Sequence, residues 1–127
     1  MRTSRIRVLV VAEAANPEWV SVPLEGWSLS RRLADIADVH LVTQLRNVAA
    51  IQRAGWDPER LTAIDSEHVA APLDTLNEWV RKVTGFGWTL TTALGAVPYY
   101  AFEYSLLRTF GNAIANRHFD VVHRVTP

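Results

Sequence analysis

The sequence contains no cysteine. That absence excludes a disulfide framework, a thiolate metal site and a cysteine nucleophile. Net charge is missing too, with thirteen basic residues against thirteen acidic ones. A neutral chain has no electrostatic footprint for nucleic acid, so no nucleic-acid partner is expected. Lysine is nearly absent, Lys82 standing alone beside twelve arginines. Nor is there a long hydrophobic run. The apolar residues 8–12 stop at Glu13, too short for the core of a secretion signal, so a cytoplasmic location is the expectation. Residues 84–102 carry no charge, but glycines, a proline, threonines and tyrosines interrupt them too often for a spanning helix. That segment permits peripheral contact with a membrane without requiring it.

Glycine fingerprints are equally scarce. The segment from Glu13 to Gly26 holds one glycine, so neither G-x-G-x-x-G nor a phosphate-binding P-loop follows the first apolar run. The G-x-S-x-G nucleophile elbow is absent. His40, His68, His118 and His123 lack metal-ligand spacing, and no metal is expected.

What is present is enough for a core. The 127 residues are one domain's worth, 49% of them are hydrophobic, and five are tryptophan. Residues 6–12 read as a central parallel strand, apolar almost throughout. Pro17, Pro23 and Gly26 bar regular structure until Trp27, where Leu29, Leu33 and Ile36 begin a helix over residues 27–37. Residues 39–43 form a second strand. Asn47 caps a short helix that ends at Ala54, with Gly55 just beyond it. After an Asp57–Pro58 turn, residues 61–64 make a third strand.

A helix opens at Pro72, with Val69, Leu73, Leu76, Val80 and Val83 along one face, and Gly85 closes it. Residues 85–88 read as loop. A longer helix runs from Pro98 to about Arg117, with Phe102, Leu106, Phe110 and Ile114 at four-residue steps, and residues 119–125 are a fourth strand. Phe86, Trp88, Tyr99, Tyr100, Phe102 and Tyr104 read as core and helix packing first, and as an acceptor-facing or membrane-facing surface second.

Strand and helix alternate, which predicts an α/β domain with a Rossmann-like parallel sheet of about four strands. In the order 3-2-1-4 the Val121–Val122 pair falls on an open edge, an arrangement natural sheets avoid. This reads as the front part of a longer fold, prone to self-association by itself. In such a sheet ligands bind beyond the carboxyl ends of the strands, where the strand order reverses. The rim of that crevice carries Glu13, the loop to Gly26, and residues 123–126, including His123, Arg124 and Thr126. The amino end of the Trp27 helix would point into it and could hold a phosphate or a sugar. Against these roles stand plainer ones: a core histidine, a solvated loop carboxylate and a surface arginine.

The order of these segments resembles the N-terminal domain of family-4 glycosyltransferases. The likeness lies in the opening strand, Glu25-Gly26 before Trp27-Ser28-Leu29, Val39-His40-Leu41-Val42-Thr43-Gln44, and Phe119-Asp120-Val121-Val122-His123, which is similar to the family's fDvvH strand. It implies one half of a GT-B fold, two Rossmann-like domains across a cleft, with residues 1–127 on the acceptor side. It also implies transfer of a sugar from a nucleotide-sugar co-substrate to a sugar or lipid acceptor, with retained configuration and neither metal nor further cofactor. On this likeness Glu25, Gly26, Thr43 and Gln44 join the cleft candidates. The family often has a second glycine where Glu25 stands, so close backbone approach to a phosphate does not carry over there, and a second histidine where Val125 stands, so that histidine's catalytic or acceptor role does not carry over either. The donor-binding domain, with its paired glutamates, would lie beyond Pro127, so the 127 residues alone are expected to be inactive. The alternatives are a stand-alone, non-catalytic α/β binding or interaction module and, more weakly, a small flavodoxin-like or receiver-like domain, of which a receiver would need more acids at its strand ends than Asp65 supplies.

Overall fold

A computed structural model describes residues 4–66 and 97–125. The chain divides into two compact units, residues 1–64 with 110–127 and residues 65–109. The expected helix at Pro72, the loop at 85–88 and most of the uncharged 84–102 segment lie outside the described residues. Among the described residues no helix is long and apolar enough to cross a membrane.

The first unit holds a four-stranded, all-parallel sheet flanked by helices, the α/β, Rossmann-like architecture that the alternating pattern predicts. In chain order its elements are β1 (Arg7–Ala12), α1 (Val22–Ile36), β2 (Asp38–Gln44), α2 (Val48–Arg53), β3 (Leu61–Ile64) and β4 (Val121–Val125). The sheet order is β3-β2-β1-β4. Register pairs Val10 of β1 with Leu41 of β2 and with His123 of β4.

On one face Val8, Val10, Ala12, Val39 and Leu41 pack with Ala15, Ala37, Ile51 and Trp56, and Trp27 and Leu33 close over them. The alternate residues Leu9, Val11 and Val42 are buried as well. β1 and β2 are thus covered on both sides, which is why they read as unbroken apolar runs. β4 is not: Val121 and Val122, neighbours that face opposite sides of the sheet, are 45% and 46% exposed.

Two elements differ from the sequence expectation. α1 begins at Val22, five residues before Trp27, with Pro23 inside its first turn. There the missing N–H costs nothing, so the proline starts the helix where it was expected to delay it. Gly26 lies within the helix, its Cα against Ala12 and Ala15, which an added Cβ would meet at 3.7 and 3.5 Å. The fourth strand begins at Val121, not at residue 119. The rings of Phe119, Phe110 and His40 form a cluster with centroids 5.5 to 6.5 Å apart.

The last helix, α3, covers Val97–Ala115, and the division between the two units falls within it. Phe102, Leu106 and Phe110 are buried along it. It ends in a Schellman motif without glycine. The His118 N–H donates to the Ala113 carbonyl, the Arg117 N–H to that of Ile114, and Arg117 takes a left-handed φ of 56°.

Candidate functional site

The carboxyl ends of β1 and β2 carry a polar network rooted in the first residue after β1. The Glu13 carbonyl accepts three hydrogen bonds, from the Gln44 N–H at 3.3 Å, Thr43 Oγ1 at 3.2 Å and Asn47 Nδ2 at 3.1 Å. Its carboxylate Oε1 accepts from Gln44 Nε2 at 2.8 Å. Thr43, Gln44 and Asn47 are buried, whereas Glu13 is half-exposed. The result is a carboxylate presented at the sheet's carboxyl edge with its geometry set by a buried amide. Such a group can accept a hydrogen bond from a ligand hydroxyl at little ordering cost.

The loop between β1 and α1 is fastened over this edge. Asn16 Nδ2 donates to Asn47 Oδ1 at 3.0 Å, and Asn16 Oδ1 accepts from the Glu18 N–H. Glu18 pairs with Arg53, and the Arg46 guanidinium sits 5.3 Å from the Trp19 ring centroid. At the end of the loop Ser21 has φ 62°, a strained value for a residue with a side chain, and makes no side-chain cap to α1. Asn47, expected as a helix cap, makes none either: its side chain is committed to Glu13, Thr43 and Asn16.

The sequence candidates therefore separate. Glu13, Thr43 and Gln44 come together. Gly26 is buried nearby and, with Ala12, Ala14, Ala15, Val22 and Val125, lines the crevice between the ends of β1 and β4. That crevice is a slot too narrow to admit a water molecule. Glu25 is exposed in the first turn of α1, where an acid suits the helix dipole. The α1 amino terminus belongs to Val22 and not to Trp27, which moves the helix end assigned to the crevice. His123 is not at a strand end: it is the third of five residues in β4, exposed beside Val10. Arg124 is half-buried opposite Val11, and Thr126 lies outside the described residues. No metal-binding cluster of histidine and acidic residues occurs among the described residues.

Asn16 is a site residue that sequence reading missed, and Asn47 reads from sequence only as a helix cap. The signal was available in retrospect, since two asparagines flanking strand ends are poor helix or strand formers and seek local hydrogen bonds. No protein-family model, curated protein or solved structure matches the chain.

Proposed function

We propose that this chain is the acceptor-side domain of a glycosyltransferase of the family-4 kind, holding a sugar-containing or lipid-linked acceptor at the carboxyl ends of β1 and β2. The observation that carries the reading is the half-exposed Glu13 carboxylate held by buried Gln44 at that edge. In parallel α/β sheets this is the end at which ligands are taken. Glu13 would accept a hydrogen bond from an acceptor hydroxyl, with Gln44 fixing its orientation. The nucleotide-sugar donor would bind to a second domain, and transfer would need both walls of the cleft to exclude water.

Backbone amide NMR of the 127-residue chain tests this. Glucose and methyl glucosides are expected to move the amide resonances of Glu13, Gln44 and Asn47, and Glu13→Gln to abolish those changes. Unmoved amides at that edge would overturn acceptor binding there. Sugar transfer catalysed by the 127 residues alone would overturn the division of labour.

A second reading, a non-catalytic binding module, draws on Tyr99, Tyr100, Tyr104 and Leu107, all exposed on α3. Co-flotation with lipid vesicles, lost on replacing the tyrosines by serine, would favour it.

A further inference from the structure

Beside α1 a cleft of about 230 Å³ opens, with Trp27, Arg31, Val39, Trp56 and Arg60 among its lining residues. It stands apart from the Glu13 edge. Arg60 precedes β3 and pairs with Asp38, the first residue of β2, whereas Gln44 is the last. Six residue-to-residue steps of extended strand separate those ends by about 20 Å.

The cleft combines an aromatic wall with balanced charge. The Trp27 and Trp56 rings meet edge to face at 65°, centroids 5.7 Å apart, and Trp56 Nε1 donates to the Arg60 carbonyl at 2.9 Å. Arg31 holds Asp35 at 2.9 Å, and Arg60 reaches Asp38 at 3.4 Å and Asp57 at 3.9 Å. An anion entering here would face Asp57 and find both guanidinium groups already paired, and a cation would face two guanidinium groups. A neutral ligand with adjacent hydroxyls suffers neither repulsion: it can accept from a guanidinium and donate to its carboxylate partner. The partly exposed Trp27 indole supplies an apolar surface for the C–H face of a ring, and the buried Trp56, held by its hydrogen bond to Arg60, backs it edge to face. A cavity of this size is below the range for drug-sized ligands and suits one ring.

We propose that this cleft binds a single neutral pyranose ring, with Trp27 against its apolar face and Arg31, Arg60 and Asp57 on its hydroxyls. The test follows the tryptophan indole N–H resonances of the full chain during titration with D-glucose, D-galactose and N-acetylglucosamine, with sodium benzoate as an anionic aromatic comparison. At least one sugar is expected to shift the Trp27 and Trp56 signals saturably, with a roughly millimolar Kd for so small a ligand. Arg31→Gln should weaken that binding about tenfold while leaving the melting midpoint in place, since the Arg31 side chain is largely exposed.

Indoles unmoved by all three sugars would overturn the assignment. So would binding indifferent to Arg31→Gln, or saturable shifts with benzoate alone. The Glu13 edge reports independently through its backbone amides. Shifts confined to Trp27 and Trp56, unchanged in Glu13→Gln, would support this cleft and count against acceptor binding at Glu13.

Discussion

Glu13 and Gln44 are joined twice, once through their side chains at 2.8 Å and once through their main chains at 3.3 Å. The double link ties the end of β2 to the residue that follows β1 and orients one half-exposed carboxylate. Glu13→Gln keeps an acceptor oxygen for the Gln44 amide, so its cost to folding should stay below about 1 kcal/mol. Urea denaturation checks this, and it is what makes Glu13→Gln a usable probe of acceptor binding.

Asn47 carries more of the stability. It is fully buried and makes side-chain hydrogen bonds with Asn16, Thr43 and the Glu13 carbonyl. Asn47→Ala removes all three and leaves the buried Asn16 amide without that acceptor. A loss of about 2–3 kcal/mol is expected from the urea midpoint. A loss under about 0.5 kcal/mol would mean that the exposed Glu18–Arg53 and Trp19–Arg46 contacts hold the loop instead.

Three backbone positions should respond in opposite directions. Gly26→Ala places a Cβ at ordinary contact distance from Ala15 inside a helix. It should stabilise the fold by up to about 1 kcal/mol, because alanine suits a helix better than glycine. Gly55 has φ +89°, so Gly55→Ala should cost about 1–2 kcal/mol. Arg117→Gly relieves the left-handed strain at the end of α3 and keeps the main-chain carbonyl that accepts from Arg7, so it should gain up to about 1 kcal/mol. Thermal melts of the three variants give the signs.

Acid should act on the fold in two stages. Burial, reinforced by the positive charge of Arg60, holds His40 below its ordinary value. The unfolded chain therefore takes up this proton first. The contribution is fully present above about pH 6.5 and is lost as pH falls from there through the lower folded value. His40→Gln, which retains a partner for the Thr62 hydroxyl, should show a flatter stability profile over that interval. Asp120 acts lower. The hydrogen bond from the Arg7 side chain holds it below its usual carboxylate value, so its contribution persists above about pH 4 and fades as pH drops further. Asp120→Asn should thus leave the profile above about pH 5 unchanged, as urea titrations across pH would show.

The two central strands were legible because burial on both faces leaves a plain mark, an unbroken apolar run, whereas the partly exposed Leu61–Ile64 strand was marked by the turn before it. The start of α1 was obscured because Pro23 is ambiguous. The same ring stops a helix from within and starts one from its first turn. No side-chain cap at Ser21 resolved the ambiguity. Glu13 could be placed at a strand end from sequence, but its partner amide could not, nor could the meeting of Asn16 with Asn47 across 31 residues. The Trp27–Trp56 cleft was invisible for the same reason, since its walls are brought together only by the packing of α1 against β2 and the segment after α2.

The pairing of β1 with β4 has a consequence in time. β1 is central in the finished sheet, yet its neighbour on one side comes from the far end of the chain: Arg7 meets Asp120 across 113 positions. β1, β2 and β3 are all made by residue 64, and chains acquire structure from the amino end during synthesis. Closing a loop of that length is slow, so β4 docks late. In the interval Leu9, Val10 and Val11, among the most buried residues of the native protein, belong to an open strand edge. The nascent domain is therefore most vulnerable to mispairing at the strand that its native state protects best.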